Sequence, residues 1–213
     1  MKKQKSLQRD YPEEYKILKK LNTPWKIQDF LDYLPYNTIG NTCYSPVKVI
    51  KNQTADCFEG AIFAGAALYV NGHDPLIVDL VADPQKDDDH VLAVCKINGL
   101  WGAMAKSKFT GLKFRDPVYK NIRELVISYF DDYFNEQGEK TLERYSNEPL
   151  NLKRFGMRWL FSEDIRFISE FMVKREKTRA YEKVIPNSPK IQLRKADPLL
   201  LKAGMLGYPR KKN

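Results

Sequence analysis

The dipeptide Asn98-Gly99 restricts the fold more than any other feature of the chain. It separates two apolar runs, HVLAVCKI (90–97) and LWGAMAKS (100–107). Asn-Gly is strongly favoured in two-residue turns between antiparallel strands, because both turn positions need a positive φ. We therefore predict a β-hairpin here. Both of its faces are largely apolar, which indicates a position inside a sheet that is covered on both sides.

A two-residue turn also fixes which residues face each other across the hairpin. Ile97 faces Leu100, and the same register continued to the far end places His90 opposite Ser107. Side chains alternate between the faces of a strand, so Cys95, five positions from His90, points to the opposite face. Cys95 is therefore predicted to be a core thiol.

The stretch NQTADCFEGAIFAGAALYVNG (52–72) predicts a buried helix that begins near Cys57 and stops at Asn71-Gly72. Its many small residues allow close packing on a sheet. The remaining pattern predicts helices at 12–21, at 24–34, from Asp116-Pro117 onward and after Ser162, with strands at 47–50 and 75–82. The predicted fold class is α+β.

Cys57 is the candidate nucleophile, because the start of a helix stabilises a thiolate. The chain has two histidines. His73 follows the C-terminal end of the same helix, about 20 Å from Cys57 at 1.5 Å per residue. His90 opens a strand at the sheet end where the helix is expected to start. Cys57 and His90 are therefore the predicted nucleophile and general base.

For the third catalytic position the sequence leaves two candidates, and for the oxyanion it offers one backbone and one side-chain donor. The hairpin register puts Ser107 beside His90, and its hydroxyl could accept a hydrogen bond from the imidazole. A β-bulge could bring in Asp116 instead. The N–H group of Cys57, aided by the amide of Gln53, is the predicted oxyanion site.

Three segments resemble the transglutaminase-like superfamily, relatives of papain-type cysteine enzymes. They are ADCFEGAIFAGAALYVNGHDPLIV, DDDHVLAV and GLWGAMAKS, in the family's order of Cys helix, His strand and partner strand. The resemblance implies a transglutaminase/papain-like core at about 45–110, with the Cys-bearing helix packed on an antiparallel sheet. It also implies Cys57 as nucleophile and His90 as base. The family usually has an Asp shortly after the Trp of the partner strand, whereas here no carboxylate occurs at 105–107.

We expect one transglutaminase-like domain over 1–175, with helical additions on both sides of the core, and a basic C-terminal extension over 176–213. The formal net charge is +9, and residues 136–213 hold 18 basic against 10 acidic side chains. The expected function is that of a cysteine-dependent amide hydrolase or acyltransferase with a Cys-His dyad and a degenerate third position. The alternative is an inactive domain that binds protein or nucleic acid through its basic C-terminal region.

The expected partner of an active enzyme is a protein or peptide substrate, with no membrane, and the basic region leaves nucleic acid as a secondary possibility. Asp87, Asp88 and Asp89 lack the spacing of an EF-hand, so no metal and no other cofactor are expected. Three cysteines cannot all pair, and free thiols are typical of a cytoplasmic protein.

Overall fold

The computed structural model describes residues 2–186 and 191–207, and it is mixed α and β with a seven-stranded antiparallel sheet. The helices are α1 (Lys2–Asp10), α2 (Pro12–Lys20), α3 (Pro24–Tyr33), α4 (Pro46–Asn52), α5 (Cys57–Val70), α6 (Ile122–Ile127), α7 (Arg158–Phe161), α8 (Arg166–Arg175) and α9 (Pro198–Gly204). The strands are β1 (Leu76–Ala82), β2 (His90–Ile97), β3 (Leu100–Met104), β4 (Arg115–Tyr119), β5 (Leu142–Ser146), β6 (Leu150–Asn151) and β7 (Tyr181–Lys183). This architecture is consistent with the predicted α+β class.

The sheet has the order β4-β3-β2-β1-β5-β7, and the short β6 also pairs with β1. One face of the central strands packs against α5 and the N-terminal helices. The other face packs against α6 and the aromatic residues that follow it. The hairpin strands β2 and β3 are therefore covered on both sides, as their apolar faces predict.

The hairpin register is confirmed over the length of the ladder, from Ile97–Leu100 to Ala93–Met104. The predicted strand over 100–107 was too long, because β3 ends at Met104. The Gln28 side chain accepts from the Ala105 N–H at 3.0 Å and donates to the Ala105 carbonyl at 2.9 Å. The Gln28 side chain of α3 thus pairs with Ala105 where β2 would otherwise do so, and the chain leaves the sheet after Met104.

Lys106 is the residue after Ala105, and its side chain fixes the direction in which the chain leaves the sheet. Its buried ammonium donates to the carbonyl oxygens of Leu31 and Leu34 at the C-terminal end of α3. Helix C-termini carry unpaired carbonyl groups and partial negative charge, so a cation is favourable there. Gly60 of α5 lies so close that an added Cβ would be 2.5 Å from the Lys106 Cβ.

Two local predictions were wrong. The predicted strand over 47–50 is part of α4, which begins at Pro46 with Ser45 as N-cap, a pattern typical of helix starts. The helix predicted from Asp116-Pro117 begins at Ile122 instead. The Asp-Pro pair lies in β4, an edge strand, where a proline without an N–H is tolerated.

Parts of the segment beyond residue 175 belong to the folded body. Strand β7 pairs with β5, and Val184 is buried. Gly204 of α9 packs so closely on Phe134 that an added Cβ would be 2.9 Å from its ring. Residues 187–190 and 208–213 lie outside the described residues. No helix within 2–186 or 191–207 has both the length and the apolar character needed to cross a membrane.

Candidate functional site

Cys57 is the first residue of α5, as predicted, and Asp56 is the N-cap. The Asp56 carboxylate accepts from the Glu59 N–H at 2.8 Å, and the Glu59 carboxylate accepts from the Asp56 N–H at 3.0 Å. This reciprocal capping box fixes the start of the helix at Cys57. The Cys57 N–H belongs to the first turn, whose amides have no partner within the helix.

The departure of β3 leaves the edge of β2 open where the α5 N-terminus approaches it. The Cys57 Sγ donates to the Asp89 carbonyl at 3.8 Å and also interacts with the Val91 N–H. These two backbone groups flank His90. The thiol therefore lies beside the first residue of β2, where a longer β3 would have continued the sheet.

His90 is only 4% exposed, and its Nε2 lies 2.8 Å from the Leu112 carbonyl oxygen. A carbonyl can only accept, so this contact assigns the proton to Nε2 and leaves Nδ1 as the basic nitrogen of the neutral ring. Among the described residues Nδ1 makes no hydrogen bond, and it is not one of the fully buried polar atoms that lack a partner, so it is open to solvent. Burial lowers the pKa of His90 to about 4, although the Leu112 contact opposes this shift.

Cys57, His90 and Ser107 all line one cavity of about 230 Å³. Its remaining walls are formed by Tyr36, Asp56, Asp87, Asp88, Asp89, Lys108, Phe109, Leu112 and Tyr133. The structure therefore brings together the three residues predicted for catalysis. Among the described residues no hydrogen bond joins the Cys57 thiol to the His90 ring.

Ser107 lies in the cavity wall but does not contact the imidazole through a hydrogen bond. Its Oγ accepts from the Phe109 N–H at 3.0 Å and shapes the turn after β3. The Leu112 carbonyl, in a 3-10 helix over Thr110–Leu112, instead holds His90. The sequence could not reveal this partner, because a carbonyl oxygen occurs in every residue.

Gln53 and Asp116 are not brought to the cavity. The Gln53 side chain donates from Nε2 to the Ile50 carbonyl at 2.6 Å, within the turn that ends α4, and it does not line the cavity. A register shift does occur between β3 and β4, yet Asp116 is exposed on the edge strand. Of the two predicted oxyanion donors, the Cys57 N–H therefore lies at the cavity and the Gln53 amide does not.

Burial, and then the charge of Asp56, raise the pKa of the Cys57 thiol to about 12. The residue keeps some exposed surface, but the atoms packed around Sγ desolvate the sulfur. The Tyr36 hydroxyl and the N–H groups of Phe58 and Val91 oppose the shift. The thiol and the imidazole that line this cavity are therefore both neutral in the resting protein.

Glu59 was not recognised in the sequence, although it organises this end of α5. It is fully buried, and its carboxylate accepts from Thr42 Oγ1 at 2.8 Å, from the Tyr44 N–H at 2.9 Å and from Asn37 Nδ2 at 2.9 Å, in addition to Asp56. A buried carboxylate needs such donors. The available signal was the D-x-x-E spacing of Asp56 and Glu59.

Tyr36 was also missed, and no sequence pattern identifies it. It lies beside the Cys57 sulfur, and burial followed by the charges of Cys57 and Asp56 raises its pKa. An isolated β-bridge to Ala55 holds its backbone, and the Lys108 Nζ lies 4.9 Å above its ring. Tyr36 therefore places a hydroxyl donor next to the thiol.

No protein-family model matches the chain, and a search of curated proteins also finds no match. Within the described residues, no group of three or more His, Cys, Asp or Glu side chains is arranged to hold a metal ion. Any functional assignment therefore depends on the geometry of the cavity and on the residues that line it.

Proposed function

We propose that the protein is a cysteine-dependent acyl-transfer enzyme or hydrolase that acts on an amide or thioester of a protein or peptide. The observation that carries this proposal is the common cavity of Cys57 and His90, with a fixed Nε2–H and an unpartnered Nδ1. A nucleophile and a base in one cavity are the minimum for such chemistry. The order of the Cys helix and the His strand also supports a transglutaminase/papain-like core.

In the proposed reaction, His90 Nδ1 removes the thiol proton as Cys57 Sγ forms a bond to the substrate carbonyl carbon. The Cys57 N–H and the Tyr36 hydroxyl donate to the oxyanion. Collapse breaks the bond to the amine or thiol leaving group, which takes the proton from His90. Water or an acceptor amine then attacks the acyl carbon and gives a proton to His90 Nδ1; the C–S bond breaks, the product leaves, and His90 returns the proton to the Cys57 sulfur.

The Leu112 carbonyl acts here as the third, orienting group. It fixes the tautomer and ring position as a catalytic acid or amide would. A neutral carbonyl stabilises an imidazolium less than a carboxylate does, so we expect slow turnover. Proton transfer is proposed to accompany attack, because burial keeps both groups neutral in the resting site.

The same neutral state favours a second candidate, an inactive domain of this fold that binds protein or nucleic acid through its basic C-terminal region. Three free cysteines, Cys43, Cys57 and Cys95, support a cytoplasmic location for either function. The two candidates differ in whether Cys57 becomes acylated.

Acylation by p-nitrophenyl acetate at pH 8 tests the proposal. The full chain should release a burst of p-nitrophenol and carry an acetyl group on the peptide that contains Cys57. His90→Gln, which keeps a polar side chain in the cavity, should slow acylation at least a hundredfold through loss of the base. Tyr36→Phe, which retains the ring, should slow it about tenfold.

Cys43→Ser and Cys95→Ala serve as matched thiol controls and should leave the burst intact. Circular dichroism must show that each variant is folded. Equal acylation of the wild type and Cys57→Ala, or equal acylation of wild type and His90→Gln, would rule out the dyad and favour the inactive binding domain.

A further inference from the structure

The segment KRFGMR (153–158) presents two arginines to the exposed side of α8. Arg154 lies in a 3-10 helix over Leu152–Phe155, and Arg158 begins α7. Gly156, between them, has a φ of 73°, a conformation that glycine adopts without steric cost, and it turns the chain so that both side chains reach α8. Two guanidinium groups therefore lie over one helix.

Each guanidinium packs on the face of a phenylalanine of α8. The Arg154 Cζ lies 3.9 Å from the centroid of the Phe171 ring, and the Arg158 Cζ lies 3.7 Å from the centroid of the Phe167 ring. These separations are close to van der Waals contact, so the planar groups lie against the ring faces. Phe155 contacts both rings edge-on, at 5.5 Å between centroids. The two arginines thus share one aromatic support.

No anion in the described chain neutralises these two guanidinium groups. Both arginines are exposed, and neither side chain forms a hydrogen bond or an ion pair with a described residue. Neighbouring basic groups differ, because Lys153 pairs with Asp74 and Arg175 pairs with Glu148. Stacking holds a guanidinium in place without using its N–H groups, which stay free for a ligand.

The surrounding surface has a surplus of unpaired positive charge. Residues 152–179 hold eight basic side chains and four carboxylates. Glu163, Asp164 and Glu176 form ion pairs, which leaves Glu170 as the one carboxylate of this range without an ion-pair partner among the described residues. Five of the basic side chains have no ion-pair partner in the described chain, namely Arg154, Arg158, Lys174, Lys177 and Arg179. Such a surface attracts an anionic ligand.

We infer that an arginine–phenylalanine surface binds single-stranded nucleic acid. This surface is formed by Arg154, Phe155, Arg158, Phe167, Phe171 and Lys174. Lys174 belongs to it because it lies three positions after Phe171, on the same face of α8. The binding is independent of the chemistry proposed for Cys57.

The partner follows from the shape of the two stacked groups. The N–H edge of a guanidinium matches the oxygens of a phosphate, and its plane is a stacking surface for an unpaired base. A carboxylate of an acidic peptide could use the edges but has no ring to place on the planes. Duplex bases are already stacked on one another, so the planes favour a single strand.

Fluorescence anisotropy of a fluorescein-labelled, mixed-sequence RNA of about 20 nucleotides tests the proposal on the full chain. The logarithm of the binding constant should fall by about 0.7 per unit of log salt for each phosphate contacted. The corresponding duplex should bind about fivefold more weakly or less, because its bases cannot stack on the arginines. Polyglutamate at the same charge concentration should not displace the RNA. Displacement by polyglutamate would assign the surface to an acidic protein and overturn the proposal.

Substitutions then locate the binding. Arg154→Ala with Arg158→Ala should weaken RNA binding about twentyfold and reduce the salt slope by about 1.4, the value for two phosphate contacts. Arg154→Lys with Arg158→Lys keeps both charges but loses the stacking planes, and should weaken binding about fivefold with little change in slope. Circular dichroism must show that each variant is folded, and the lysine variant tests the planes even if the alanine variant unfolds.

Arg194→Ala with Lys195→Ala is the matched control. Both residues are exposed, and their neighbour Ala196 packs against the opposite face of the sheet from α8. RNA affinity should stay within about twofold of the wild type. Loss of binding in this control, with binding kept in Arg154→Ala with Arg158→Ala, would place nucleic acid on the C-terminal segment and overturn the arginine–phenylalanine surface.

The two proposals can fail separately. Acylation of Cys57 by p-nitrophenyl acetate should be unchanged in Arg154→Ala with Arg158→Ala, because neither arginine lines the cavity of Cys57 and His90. RNA binding should likewise be unchanged in Cys57→Ala. A wild type that acylates Cys57 but does not bind RNA would overturn the arginine–phenylalanine surface alone.

Discussion

Two walls of the cavity are built in different ways. The loop wall, residues 36–45, is tied to α5 by one buried carboxylate, Glu59, which accepts hydrogen bonds from three residues of the loop. The 105–112 wall is held instead by several separate contacts, from Gln28, Lys106 and Ser107. One substitution should therefore disturb the loop wall strongly, whereas single substitutions in the other wall should cost less.

Glu59→Ala should have the largest effect. It leaves the donors of Asn37, Thr42, Tyr44 and Asp56 without their acceptor, and the free energy of unfolding should fall by about 3–5 kcal/mol. Glu59→Gln keeps one acceptor oxygen and should cost about 1–2 kcal/mol. Urea unfolding measures both. A loss below 1 kcal/mol for Glu59→Ala would show that the loop wall does not depend on this carboxylate.

Gly60→Ala tests the contact between α5 and the 105–112 wall. The new Cβ would lie 2.5 Å from the Lys106 Cβ, which cannot move without its backbone. We expect a net loss of about 1–3 kcal/mol in the free energy of unfolding, despite the better helix propensity of alanine. Gly65→Ala is the control in the same helix, because its Cβ would meet a Leu152 methyl group that can rotate away. Equal stability of the two variants would contradict the close approach.

The comparison of the walls also shows how far the sequence alone can lead. Asn98-Gly99 and the periodicity after Cys57 predict the hairpin and α5, because their signals lie in neighbouring residues. The end of β3 depends on Gln28, which is 77 positions away from Ala105 along the chain. The partner of His90 is a backbone carbonyl. Contacts of these two kinds leave no local pattern in the sequence. For this reason the sequence predicted Ser107 as the partner of His90, whereas the partner in the structure is the Leu112 carbonyl.

Asp56→Asn, at the N-cap of α5, should change how the free energy of unfolding depends on pH. Burial, and then the charge of Glu59, raise the pKa of Asp56 to about 7, above its ordinary value of 3.8. The folded protein therefore binds more protons than the unfolded chain between these values, and its free energy of unfolding falls as pH rises from about 4 to 7. Asparagine retains the cap without titrating, so this decline should be smaller in the variant.

The same substitution should make Cys57 more reactive, because the Asp56 charge raises the pKa of the thiol. At pH 9 the alkylation of Cys57 by iodoacetamide, followed by peptide mapping, should be roughly three- to tenfold faster. Asp116→Asn, an exposed carboxylate on β4, is the matched control and should change neither property. Unchanged alkylation in Asp56→Asn would show that Asp56 does not control the thiol.

Ser107→Ala should have the smallest effect, and it decides which group orients His90. The structure gives Ser107 one hydrogen bond, from the Phe109 N–H, so its loss should lower the free energy of unfolding by about 1 kcal/mol. Acylation by p-nitrophenyl acetate should fall less than threefold, because the Leu112 carbonyl still holds Nε2. Ser169→Ala serves as the control. It removes a hydroxyl of α8 that donates to the Arg166 carbonyl of the same helix. A fall of a hundredfold or more, specific to Ser107→Ala, would mean that Ser107 meets the imidazole during catalysis, as the hairpin register first predicted.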